Sequence, residues 1–215
     1  MGEAFLVGVV VAVPLLAGAV IATIRPARPH VLATVLAFAS GAMMAAVAFE
    51  LVAEADRTAS IGVVAAALLG GALAYLLVDA LAEYRFASAA VGPALLIGVL
   101  LDGIPENVAL GGSLSEQGGL ALAAAIFVAN LPEALGGAAE MLRQMSRRSV
   151  LAIWGAAAVV TGIMVPFGRF LLVDASGPWN GFVLAFAGGA VIAVLATTAM
   201  PEAFKEGGPW IALAT

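Results

Sequence analysis

The chain has no cysteine and a single histidine, His30. The first absence excludes disulfides, thiolate metal sites and cysteine nucleophiles. The second removes histidine-rich zinc enzymes and haem held by paired imidazoles. Charge is scarce as well: Asp, Glu, Lys and Arg make up 11% of the 215 residues, against about 25% in a soluble domain. With 9 Lys plus Arg against 14 Asp plus Glu, there is no basic patch for nucleic acid. No phosphate-binding loop occurs, so nothing points to ATP as an energy source. No basic flank precedes the N-terminal apolar run, which therefore reads as a first spanning helix rather than a secretory leader.

What is present is apolar. The AVILMFWYC set reaches 63% and the mean hydropathy is +1.11. So few charges cannot make a water-facing shell, so lipid is the main solvent and the expected class is an all-α polytopic membrane protein. A spanning helix needs about 20 mostly apolar residues. Breaks at proline, glycine and charge give seven such stretches, about 3–24, 31–54, 60–81, 92–114, 119–142, 149–172 and 181–202. An eighth begins at Pro209 and is too short to span, which suggests that the last helix is incomplete in this chain.

The basic residues give an orientation. With the N-terminus outside, Arg25, Arg28, Arg85, Arg143, Arg147, Arg148 and Lys205 face the cytoplasm, leaving Arg57 and Arg169 outside. That is the excess of inner positive charge expected of a protein in the cytoplasmic membrane. A repeat is also visible. Residues 37–55, AFASGAMMAAVAFELVAEA, match residues 185–203, AFAGGAVIAVLATTAMPEA, at a constant offset of 148. The two helices run in opposite senses, so the repeat is inverted, as in alternating-access transporters. The expected organisation is one transmembrane domain over 1–215. It divides into a first three-helix repeat (1–81), a central pair (92–142) and a second repeat (149–215), a 3+2+3 eight-helix bundle.

The chemistry lies in the central pair. Helix 4 reads Leu101-Asp102-Gly103-Ile104-Pro105-Glu106-Asn107 and helix 5 reads Ala129-Asn130-Leu131-Pro132-Glu133. An ionised carboxylate at mid-membrane costs about 2.5–3.5 kcal/mol on insertion scales, and no Lys or Arg occurs between Arg85 and Arg143. The compensating charge is then a proton, a distant side chain or a bound cation. Asp102 and Glu106 share one helix face, as do Asn130 and Glu133. Pro105 and Pro132 cannot donate to the carbonyls of Leu101 and Val128. Three carboxylates, the amides of Asn107 and Asn130, and freed carbonyls make an all-oxygen cradle suited to a divalent cation.

These residues resemble the ZIP family of divalent-metal permeases. The family's helix 4 motif, His-Asn-x-Pro-Glu-Gly, aligns with Asp102 to Asn107. Its helix 5 motif, His-Glu-x-Pro-Glu or a close variant, aligns with Ala129 to Glu133. The Phe-Ala-Ser-Gly-Ala stretch of helix 2, running to Glu54, is similar too. The resemblance implies eight helices in a 3+2+3 inverted repeat, both termini outside, a metal between helices 4 and 5, and a homodimer. It carries over one metal site at Asp102, Glu106, Asn130 and Glu133. Both motif histidines are absent, helix 6 has no carboxylate between Ser149 and Arg169, and a second metal site is not expected. Imidazole suits zinc, whereas carboxylate and carbonyl oxygen suit manganese, ferrous iron or magnesium.

Other acidic groups have two readings each. Glu50 is expected to be a pathway or proton-relay group. Glu54 is an outer attractor or a solvated helix end. Glu202, the repeat partner of Glu54, guides exit or pairs with Lys205. Glu140 extends an exit path or pairs with Arg143 or Arg147. Asp79 and Glu83 read as a solvated face, and His30 as a solvated loop residue. The glycine pairs 70–71, 111–112, 136–137 and 188–189 are expected to allow close helix contact.

The resulting expectation is a permease, not an enzyme, that moves a divalent metal cation (zinc, manganese, ferrous iron or similar) by alternating access. Its partners are that cation and the lipid bilayer, and no cofactor beyond the transported ion is expected. The competing reading is a non-transporting, ZIP-like metal sensor or structural membrane protein. An intramembrane enzyme is disfavoured because no nucleophile, catalytic histidine or phosphate-ligand spacing is present.

Overall fold

The computed structural model describes residues 1–25, 28–86, 91–114, 119–172 and 177–215. Seven long helices account for nearly all of them. They are α1 (Gly2–Ile24), α2 (Pro29–Thr58), α3 (Ile61–Phe86), α4 (Val91–Ser113), α5 (Leu120–Met141), α6 (Arg147–Leu172) and α7 (Pro178–Gly207). Among the described residues, six of these are long and apolar enough to cross a membrane: α1, α2, α3, α5, α6 and α7. Each falls within a few residues of a span read from the sequence. Where an eighth helix is expected, Pro209–Leu213 forms one short 3-10 helix.

In lipid every backbone N–H and C=O must find a partner inside the chain, which leaves the helix as the natural solution for apolar stretches of this length. Helix contacts then depend on how closely backbones approach. α3 packs mainly on α7, α4 on α6, and α5 on α1, with α1 also lying along α6. Glycine is required at the tightest points. A Cβ on Gly71 would strike the carbonyl of Phe186, and one on Gly189 would strike that of Leu68, so α3 and α7 meet backbone to backbone. Gly111 of α4 stands in the same relation to the carbonyl of Val165 on α6. Gly137 of α5 takes the Trp154 ring of α6, where an added Cβ would come within 2.7 Å of the indole. Trp154 is fully buried in a second core with Leu15, Ala134, Ala138 and Met141.

Among the described residues, two helices are not α-helical throughout. α2 widens to a π-helical segment at Val47–Val52, and α7 does so at Leu195–Ala199. The N–H of Ala53 reaches back five residues to Ala48, and that of Met200 five residues to Leu195. The first residues of the two segments, Val47 and Leu195, are separated by the same 148 positions as the matched sequence stretches. Pro201 contributes in α7, because it cannot donate to the carbonyl of Thr197. π turns of this kind recur at functional sites.

The C-terminal end of α4 and the N-terminal end of α5 are held by charges from their neighbours. Glu50, inside the π segment of α2, accepts the N–H groups of Ala121 (3.0 Å) and Leu122 (3.1 Å) in the first turn of α5. Arg169 of α6 donates to the carbonyl of Leu114, just past the end of α4. An anion at a helix N-terminus and a cation at a C-terminus both oppose the helix dipole.

Candidate metal centre

Pro105 and Pro132 lie inside α4 and α5, each directly before a glutamate. Each proline leaves one carbonyl of the preceding turn without its helical donor. Around these breaks stand the polar side chains expected from the sequence. Glu106 is 7% exposed, Asn107 1% and Asn130 4%, whereas Asp102 and Glu133 are partly buried.

The three carboxylates lie within mutual electrostatic reach: Glu106 feels Asp102, and Glu133 feels both. They do not converge on one point. Among the described residues, no group of three or more His, Cys, Asp or Glu side chains is close enough together to hold a metal ion. A cation here needs amide or carbonyl oxygens to complete its shell, or a closer approach of α4 and α5. These two helices make little contact with each other, each being packed chiefly on another neighbour.

The amides are partly committed. Asn107 Nδ2 donates to the Gly103 carbonyl at 2.7 Å, and its buried Oδ1 has no hydrogen-bond partner among the described residues. Asn130 Nδ2 donates to the Val11 carbonyl of α1 at 2.7 Å. Both amides therefore have their donor ends occupied, and the oxygen ends remain as acceptors. Asp102 accepts a hydrogen bond from the Tyr75 hydroxyl of α3 at 3.0 Å. Sequence reasoning missed Tyr75. The available signal was a phenol in the middle of an apolar span, because a buried tyrosine O–H needs a partner.

Asp79 of α3, expected to lie on a solvated face, is within electrostatic reach of Asp102, whereas four other acidic groups are engaged elsewhere. Glu50 is bound to the first turn of α5. Glu54 pairs with Arg57 (3.2 Å), Glu140 with Arg143 (3.3 Å) and Glu202 with Lys205 (3.9 Å), all on exposed helix ends. These are the local ion pairs that were one of the two readings of Glu140 and Glu202.

No family model matches the chain. A protein of Arabidopsis thaliana named "Putative zinc transporter" is 30% identical over 185 residues, an alignment that takes in 80% of this chain and 30% of that protein. The chain thus spans about a third of the length of this relative. With the membrane-capable helices, this likeness supports the resemblance to the ZIP family.

Proposed function

We propose that this protein is a permease that moves a divalent metal cation across the cytoplasmic membrane by alternating access. The site is the carboxylate and amide cluster of Asp102, Glu106, Asn130 and Glu133 between α4 and α5. One observation carries the reading. Three carboxylates within reach of one another sit on two helices with an internal proline, while every ion pair among the described residues lies at an exposed helix end. Such a cluster needs positive charge, and a divalent cation supplies it with oxygen ligands in place. A resident cofactor and a chemical reaction form no part of this proposal.

Alternating access is supported by the paired π segments, which mark equivalent points of α2 and α7. This favours an inverted repeat relating α1–α3 to the segment from α6 onward, on either side of the central pair. The N-terminus is placed outside on the basis of the basic residues. Along the route, Glu54 would attract cations at the outer end, Glu140 and Glu202 would receive them at the inner end, and Asn107 would contribute its free oxygen. Glu50 acts by holding the first turn of α5.

The all-oxygen donor set favours manganese, ferrous iron or magnesium over zinc, whereas the similar plant protein is named for zinc. Uptake into proteoliposomes settles the ranking. Wild-type protein should accumulate a divalent cation, and the Glu106→Ala, Glu133→Ala double variant should not. Equal uptake by both would refute the site. A non-transporting metal sensor is the second reading, motivated by the absence of a converged three-ligand group. Cation binding without uptake by wild type would establish it.

A further inference from the structure

We propose that Tyr75 is a positioning residue of the transport site, acting through Asp102 to set the affinity for the cation. The inference rests on the permease reading above and deepens it. Tyr75 lies on α3, outside the central pair, and its hydroxyl donates to Asp102 Oδ1 at 3.0 Å. Its ring is 6% exposed and packs with Ala190, Ala193 and Val194 of α7, while Leu101 of α4 closes the cluster. An aromatic ring has few rotamers, and this one is fixed by close packing between two helices that meet backbone to backbone at Gly71 and Gly189. The hydroxyl is therefore delivered at a defined place.

Asp102 has no comparable anchor on its own helix. A carboxylate at the end of a short side chain can turn about two bonds, and a cation selects only some of those orientations. With Oδ1 held by Tyr75, Oδ2 is the oxygen left for a ligand, and its direction is set by α3. Thr197 and Thr198, at the π segment of α7, stand beside the same hydroxyl. The Thr197 hydroxyl donates to the Ala193 carbonyl at 2.8 Å, and the acceptor that the Tyr75 hydroxyl reaches is Asp102. Outer partners that orient a metal ligand in this way typically alter affinity by roughly ten- to a hundredfold.

The arrangement also explains why a tyrosine stands here. A cleft of about 340 Å³ lies between α3, α4 and α7, and among the described residues Tyr75 contributes the only polar side chain to a lining that includes Gly71, Leu101, Ile104, Pro105 and Phe186. The phenol fills apolar space with its ring and places one donor at the edge of the carboxylate cluster. Phenylalanine would serve the packing equally well.

The test compares Tyr75→Phe with wild type in proteoliposome uptake of manganese, ferrous iron and zinc, resolving KM from maximal rate. Tyr84→Phe serves as control, since Tyr84 is exposed at the inner end of α3. The expected result is a KM raised roughly tenfold or more, with maximal rate per folded protein little changed. In an Asp102→Ala background, which leaves no acceptor for the Tyr75 hydroxyl, the same substitution should then shift KM by less than about twofold, the scatter expected when an interaction has already been removed. KM does not depend on the amount of active protein, so a partly folded variant still gives a reading. An unchanged KM, or an equal rise with and without the Asp102 carboxylate, would overturn the inference. Failure of wild type to bind or transport any cation would overturn the permease reading, and this one with it.

Discussion

Glu50 and Leu122, 72 positions apart in the chain, are joined by a hydrogen bond from the Leu122 N–H to Glu50 Oε2 at 3.1 Å. The other carboxylate oxygen takes the neighbouring Ala121 N–H. Gly119, at the N-cap of α5, has no side chain to satisfy these donors. A π-helical segment of α2 thus supplies the cap that the local sequence lacks. Replacing an N-cap acceptor by alanine costs about 0.5–2 kcal/mol. Glu50→Ala should lower the thermal unfolding midpoint in detergent, whereas Glu50→Gln should retain part of the loss-prone capping through its remaining carbonyl oxygen. A Glu50→Ala protein as stable as wild type would show that the cap contributes nothing.

Asn130 offers a prediction in which stability and binding part company. Its amide donates to the Val11 carbonyl from a site that is 4% exposed. Asn130→Asp removes that donor and adds a fourth carboxylate to the cluster. A buried polar group left without its partner costs roughly 1–3 kcal/mol. The metal-free variant should therefore unfold at lower temperature than wild type, and saturating divalent cation should restore more of the midpoint than it does for wild type.

Pro132 breaks the helical bonding of α5 one residue before Glu133. Pro132→Ala returns a donor to the Val128 carbonyl and relieves the proline clash, a difference of about 3 kcal/mol in helix preference. The variant should be at least as stable as wild type in thermal melts. Its uptake should nevertheless fall, because a carbonyl engaged in the helix is no longer free to face a cation. Full activity in Pro132→Ala would separate the proline from the site.

Ligand linkage gives a further check that requires no flux. Any ion that binds only the folded state adds about 2.7 kcal/mol at a hundred times its dissociation constant. Titration with manganese should raise the unfolding midpoint of wild type, and chelator should reverse it. The Glu106→Gln, Glu133→Gln pair, which keeps shape and removes charge, should show no such rise.

Close packing provides a purely structural prediction. Gly111 lies so near the Val165 carbonyl that any side chain must push α4 away from α6. Overpacking of this kind typically costs about 1–3 kcal/mol. Gly111→Val should lower the midpoint by more than Gly62→Val, because a Cβ on Gly62 meets nothing within 4 Å.

The seven long helices were legible because prolines and charged residues punctuate otherwise continuous apolar runs. The glycine contacts at 71, 111, 137 and 189 followed from composition, since small residues mark close approach in a lipid-solvated bundle. The candidate carboxylates were legible for the opposite reason, as expensive residues in a cheap background. Partner choice was not legible. The sequence expectation for Glu50 was a place along the pathway, and its acceptance of two N–H groups on α5 depends on how α2 lies against that helix. Tyr75 was passed over because its significance comes from Asp102, 27 positions away. The π segments left no sequence mark beyond Pro201, because one extra residue per turn changes neither composition nor length.

Trp154 gives the molecule an intrinsic optical signal. Its indole is shut away against Gly137, one turn beyond Glu133, and its N–H has no hydrogen-bond partner among the described residues. An indole in such dry surroundings emits at the blue end of the tryptophan range. Trp179 and Trp210, which are 61% and 81% exposed, respond instead to whatever surrounds the protein. With both replaced by phenylalanine, the remaining emission comes from a ring resting on the helix that carries Glu133. Movement of α5 relative to α6 would then change colour and lifetime without any attached dye.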